Sequence, residues 1–253
     1  MANTTANYGN DSIRQLKDEE RVRLRPAVIF GSDGLDGCAH AAFEILSNSI
    51  DEAREGFGTE IVTTRYEDGS IEVADRGRGI PIEWNENEQR YNWELVFCEL
   101  YAGGKYKNDT GENYEFSLGL NGLGTCATQY SSEYMDVTVV RDGFEYSLHF
   151  EKGENKTPTK EGFTKKPTTS KKTGTTIRWK PDLEVFTDIN IPVDYYLDTL
   201  KRQAVVNSHI KFVLKNQVGG KFETTEFLYQ NGIVDYVTEL VGENPLTSVQ
   251  FLE

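Results

Sequence analysis

The sequence predicts a single α+β domain, and three observations carry that expectation. A long helical stretch with one apolar face lies near the N-terminus. Two pairs of alternating, β-branched segments flank Asp68-Gly69 and Asp142-Gly143, a dipeptide favoured by two-residue hairpins. Helical and strand-like segments then alternate to the end of the 253 residues, with no internal repeat and no clear linker.

Taken in order, residues 1–15 are rich in Asn, Thr, Asp and Ser without periodicity, and read as an N-terminal arm that orders only against another surface. Asp18 to Leu24 is a short charged helix that stops near Arg25-Pro26, because a residue before proline is pushed out of the helical region. Gly31, Gly34 and Gly37 make a loop. From Gly37 to Glu55 the spacing predicts the strongest helix: Ala42, Ile45, Leu46, Ser49, Ile50 and Ala53 share one side at ~100° per residue. Glu60 to Tyr66 with Ser70 to Asp75, and Met135 to Val140 with Phe144 to Phe150, are the two hairpins, so the sheet is antiparallel. Asn92 to Tyr101 is an apolar-periodic helix ending at Gly103-Gly104, and Thr175 to Trp179 is a strand. Lys152 to Lys172 carries seven Lys against two Glu and reads as a solvated loop or splayed hairpin. Val193 to Asn207 and Gly232 to Glu239 are helical, and Lys211 to Leu214 with Phe222 to Tyr229 form a late hairpin.

Composition removes several function classes. No apolar run approaches the roughly 20 residues that cross a bilayer, and the polar N-terminus lacks a secretory core, so no membrane partner is expected. Cys38, Cys98 and Cys126 stand far apart with no CxxC pair, which fits a reducing cytoplasm without disulfides or zinc. Lys and Arg total 27 against 41 Asp and Glu, a net charge of −14, which argues against direct DNA binding by the chain. Gly103-Gly104-Lys105 lacks the rest of a Walker cradle, Gly77-Arg78-Gly79 lacks the third glycine of a dinucleotide fingerprint, and the common hydrolase and EF-hand motifs are missing.

Three elements remain. Opposite the apolar side of the long helix, His40, Glu44, Ser47, Asn48 and Asp51 fall within about 100° of one another. This stripe has no Lys; alone it is either a solvated face or a site. Val73 to Pro81 then places Asp75 at a strand end, followed by Gly77 and Gly79, where backbone can approach a ligand without a Cβ in the way. Alone, Asp75 is a turn cap as readily as a ligand. Finally, Ala102-Gly-Gly-Lys-Tyr106 and Ser117 to Gly124 read as a hinged, glycine-rich lid leading into a helix whose free N–H groups hold phosphate.

In this order the motifs resemble the ATPase domain of bacterial type II topoisomerases, the family of gyrase B and topoisomerase IV B proteins within the Bergerat-type superfamily. The matching segments are Phe43 to Ala53, Asp75 to Pro81, Ala102 to Tyr106 with Gly119 to Gly124, and Thr173 to Arg178, and the likeness runs from about Tyr8 to the C-terminus. The resemblance implies a two-layer sandwich, a mixed and largely antiparallel sheet covered on one face by helices, with ATP between the helices and the lid. It implies residues 16–230 as the ATPase domain and 231–253 as the truncated start of a transducer domain.

For the site, it implies Glu44 as the base that polarises the attacking water, His40 orienting it, and Asn48 as the ligand of Mg²⁺. It implies Asp75 as acceptor of the adenine amino proton with Thr175 in support, and Arg78, paired with Glu52, over the adenine. Gly79, Ile80, Pro81, Val96, Tyr114 and Arg141 complete the nucleotide contacts, while Lys105, Gly119, Leu120, Asn121, Gly122, Leu123 and Gly124 hold the phosphates. Tyr8 reaches the nucleotide of a second protomer in an ATP-gated homodimer. Ser47 and Asn121 depart from the family's usual Asp and His. The implied function is ATP hydrolysis driving DNA strand passage in a cytoplasmic bacterial enzyme, with an A-type topoisomerase chain and DNA as partners of parts outside this chain. The alternative is a nucleotide-gated dimerisation or clamp module with little turnover.

Overall fold

Alternation of buried and half-buried side chains along the strands fixes which sheet face meets helices. A computed structural model of the chain describes residues 16–101 and 123–242. In chain order the elements begin with α1 (Asp18–Leu24), α2 (Pro26–Phe30) and α3 (Leu35–Arg54), then β1 (Glu60–Arg65), β2 (Ile71–Ala74), β3 (Trp84–Asn85) and β4 (Arg90–Tyr91). There follow α4 (Asn92–Cys98), α5 (Gly124–Tyr130), β5 (Ser132–Arg141), β6 (Phe144–Glu151), β7 (Glu154–Asn155), β8 (Thr164–Pro167) and β9 (Gly174–Pro181). The last are α6 (Val193–Val206), β10 (Lys211–Val218), β11 (Lys221–Phe227) and α7 (Ile233–Val241).

The sheet runs β11-β10-β1-β2-β9-β5-β6-β7, with β8 also on β6. The hairpins alone predict an antiparallel sheet; β1 and β10 instead pair in parallel while the other pairings of this sheet are antiparallel, which is the mixed, largely antiparallel α+β architecture that the family resemblance implies. On β5, Met135, Val137 and Val139 are buried and alternate with Asp136 and Thr138; on β9, Ile177 and Trp179 alternate with Thr176 and Arg178. The buried rows face one layer of helices: α3 packs across β1, β2 and β9, α5 on β5, and α6 on β10 and β11. Trp179, Phe97, Phe150, Phe186 and Phe212 fill the interface, each contributing about 1.5–3 kcal/mol by leaving water.

Both Asp-Gly segments turn the chain, but only the second is the expected two-residue hairpin: at the first, Tyr66 N bonds Ser70 O around the three residues 67–69, with Gly69 alone at positive φ (81°). Asp142 and Gly143, at φ 51° and 80°, join Arg141 to Phe144, the conformation that a two-residue hairpin demands. Several boundaries differ, four of them for a clear local reason. Pro26 opens a further helix, α2, which Gly31 closes in the left-handed region. The long helix begins at Leu35 rather than Gly37, because Gly37 lies inside its first turn, where a Cβ would stand 2.0 Å from the Ser32 carbonyl oxygen. α4 stops at Cys98 rather than Tyr101, since Glu99 is extended and Tyr101 has φ 64°. The lysine-rich stretch is partly strand, with β7 and β8 both laid against β6.

Candidate nucleotide site

The polar stripe of α3 is packed over most of its length: Ser47 and Asp51 are buried, Glu44 and Asn48 are half-buried, and His40 is exposed at its N-terminal end; Glu52, one residue beyond, is half-buried. The C-terminal half of the stripe meets the turn after β2. There the Asp75 carboxylate takes three hydrogen bonds: Gly77 N (2.9 Å) and Thr175 N (3.1 Å) donate to Oδ1, and Ser49 Oγ (3.0 Å) donates to Oδ2. Burial raises the Asp75 pKa, outweighing these bonds, which lower it. The approach of β9 depends on Gly174, at φ 149°, where a Cβ would lie 2.2 Å from the Asp75 carbonyl oxygen. Thr175 Oγ1 accepts from Ile80 N at 3.1 Å, and Arg141 Nη1 donates to Gly79 O at 2.9 Å, so both residues fasten the turn.

Arg78 is held more firmly still. Its Nε and Nη2 donate to Glu52 Oε1 and Oε2 at 2.8 and 2.7 Å, Nη2 also reaches Glu55 Oε2 at 2.5 Å, and Cζ sits 3.8 Å from the centre of the Phe57 ring. The Glu52 hydrogen bond raises its pKa further, so the guanidinium stays charged and planar with one face on Phe57. Gly77 makes room for this, because a Cβ there would lie 2.3 Å from Glu52 Cγ.

At the other end of the stripe, His40 and Glu44 lie one turn apart. His40 Nε2 is 3.2 Å from Glu44 Oε1, and Nδ1 is 3.2 Å from the Phe30 carbonyl oxygen. A carbonyl can only accept, so Nδ1 carries a proton, and the Nε2 contact needs a second proton on the ring or on the carboxyl group. Burial raises the Glu44 pKa, against the lowering effect of His40. Gly124, the first residue of α5, rests on this carboxylate: a Cβ there would lie 1.9 Å from Glu44 Oε2. Asn48 uses its amide hydrogens on Glu44 O (2.9 Å) and Thr125 Oγ1 (2.7 Å), which orients its Oδ1 as the remaining polar atom.

Glu44, His40, Asn48, Glu52, Asp75, Arg78, Gly79, Ile80, Arg141, Thr175 and Gly124 are therefore joined through α3 and the elements it touches. Pro81 is exposed just beyond, Leu123 packs half-buried beside Gly124, and Val96 packs against the core from α4. Tyr8, Lys105, Tyr114, Gly119, Leu120, Asn121 and Gly122 lie outside the described residues. Sequence reasoning missed Ser49, which it placed in the core and which instead holds Asp75. It also missed Thr125, Phe57 and Glu55. Ser49 lies in the middle of the apolar side by the helical period, so its role, like those of the others, follows only from long-range packing.

No protein-family model matches the chain. It is 38% identical to DNA gyrase B of Thermotoga maritima over 234 residues, 92% of this chain and 35% of that one. It is 35% identical to the B protein of DNA topoisomerase 4 from Staphylococcus aureus over 237 residues, 93% of this chain and 34% of that one. The chain thus spans about a third of the length of these relatives. Its fold matches the crystal structure of the 43K ATPase domain of Thermus thermophilus gyrase B in complex with an aminocoumarin. The TM-score is 0.75 and the identity 29%, covering 92% of this chain and 57% of that one. With its site motifs in family order on the family's fold, the chain belongs to the gyrase B and topoisomerase IV B family, in the region of the ATPase domain.

Proposed function

We propose that the chain binds ATP with Mg²⁺ and hydrolyses it along α3, adenine at Asp75 and terminal phosphate at Glu44. The observation that carries this reading is one helix, α3, meeting both ends of the site: Ser49 fixes a half-buried carboxylate, and about 7–8 Å of helix rise earlier Glu44 lies under the start of α5. Asp75 accepts the adenine amino proton through a charge-assisted bond, while Thr175 holds the turn. Arg78 lies over the base, its other face already on Phe57. Glu44, oriented by His40, takes a proton from the attacking water, and the backbone from Gly119 to Gly124, with Lys105, receives the phosphates.

Asn48 Oδ1 is the atom that fits Mg²⁺. With both its amide hydrogens used on Glu44 O and Thr125 Oγ1, Asn48 has a neutral oxygen left to offer, which suits an ion that takes its other ligands from phosphates and water. When bound, the ion neutralises charge on the phosphates. Calorimetric titration with a non-hydrolysable ATP analogue, with and without Mg²⁺, tests this assignment. Wild type is expected to bind tighter with the ion, and Asn48→Ala to lose that difference while keeping its affinity without Mg²⁺. An equal Mg²⁺ effect in both proteins removes Asn48 from the metal site.

In the longer protein of which the relatives are examples, this hydrolysis drives DNA strand passage together with an A-type topoisomerase chain, in the bacterial cytoplasm, with ATP-gated dimerisation through residues 1–15. Among the described residues no helix is long and apolar enough to cross a membrane. The apolar side chains of α7, with Ile233 and Leu240 at least half exposed, suit packing by a transducer domain that starts at residues 231–253.

A further inference from the structure

The summed charge of −14 is unevenly spread. Of the seven lysines between Lys152 and Lys172, three are neutralised: Lys152 by Glu184, Lys156 by Glu154 and Lys165 by Glu83. Lys160, Lys166, Lys171 and Lys172 are exposed and make no ion pair among the described residues, although Lys166 stands opposite Glu145 in the β6–β8 register. The fold gives their segment a defined path. β8 is laid on β6, Thr168 N donates to Gly143 O at 2.9 Å, and Thr173 Oγ1 donates to Gly77 O at 2.6 Å. The unpaired lysines therefore run along one rim of the sheet toward the mouth of the nucleotide site.

We propose that this rim is a sequence-independent contact for the phosphate backbone of duplex DNA, an inference that rests on the topoisomerase reading above for its choice of polyanion. The side-chain chemistry favours DNA over an acidic protein. Protein interfaces are anchored by Trp, Tyr and Arg and depleted of Lys, whereas this segment has no Arg, Trp or Tyr and its single aromatic, Phe163, is buried in the core. Lysines presented as separate point charges on an extended segment are the arrangement that neutralises phosphates without reading bases. With carboxylates elsewhere repelling the same polyanion, the contact is weak and steeply salt-dependent.

Fluorescence anisotropy of a labelled duplex of about 20 base pairs, titrated with the chain across a series of low salt concentrations, tests the proposal. Wild type is expected to bind with log K falling against log salt at a slope near −3 to −4, about 0.9 per phosphate neutralised. The variant with Lys160, Lys166, Lys171 and Lys172 all changed to Gln is expected to lose at least about tenfold in affinity at the lowest salt and most of the slope. Its affinity for the ATP analogue should stay unchanged, which separates failure of the rim from failure of the nucleotide site. The proposal is overturned by absence of wild-type binding, by equal binding of the variant, or by polyglutamate of matched charge competing as well as DNA.

Discussion

Replacing Glu44 with alanine is expected to leave binding of ATP intact and to lower its steady-state hydrolysis by ~10²–10⁴-fold. A water-activating base acts chiefly on the transition state, so the loss falls in kcat while KM stays near its starting value. Packing complicates the alanine result, since Gly124 rests on the carboxylate. Glu44→Gln keeps the volume and removes only the basicity, so the same loss is expected from both. Because burial raises the Glu44 pKa, the wild-type rate should fall as pH drops through a midpoint above the ordinary 4.5 of a glutamate. A wild-type rate in either variant would return Glu44 to a purely structural role on α3.

The second large effect is on binding. Asp75→Asn is expected to weaken ATP by roughly 1.5–3 kcal/mol, about ten- to 150-fold, while the protein folds normally. The turn should survive because an amide oxygen still accepts from Gly77 N and Thr175 N, and Ser49 Oγ can rotate to accept from the new amide. What is lost is the charge, and with it the strong acceptor for an adenine amino group. Titration of the variant with ATP and with a purine triphosphate lacking the amino group checks the assignment: the wild-type preference for ATP should collapse. An undiminished preference would remove Asp75 from recognition of the base.

Local signals are readable where one short segment carries its own structure. Asp68-Gly69 and Asp142-Gly143 name their turns, and the period of Ala42, Ile45, Leu46 and Ile50 names the core side of α3. Pro26 and Gly31 also carry the start and stop of α2, but five residues are too few for a period to show between them. The parallel pairing of β1 with β10 joins Glu60 to Lys211 and leaves no mark in either segment, because register across so long a separation is set by α3 and α6 packing on the same face. The site divides in the same way. Glu44, Asn48 and Asp75 stand out by type and spacing, whereas the burial of Ser47 and Asp51 follows from the elements that fold over α3. Ser49 shows the limit of a period: its position is core-facing, yet its hydroxyl serves the carboxylate next door.

One nucleotide is expected to lie along α3, its base at Asp75 and its terminal phosphate at Glu44. The most direct measurement is a crystal structure of the chain with Mg²⁺ and a non-hydrolysable ATP analogue. The adenine amino nitrogen is expected within hydrogen-bonding distance of the Asp75 carboxylate and the terminal phosphate beside Glu44, with Asn48 Oδ1 on the ion. An analogue bound elsewhere, or bound with its phosphates at Asp75 and its base at Glu44, would contradict this placement.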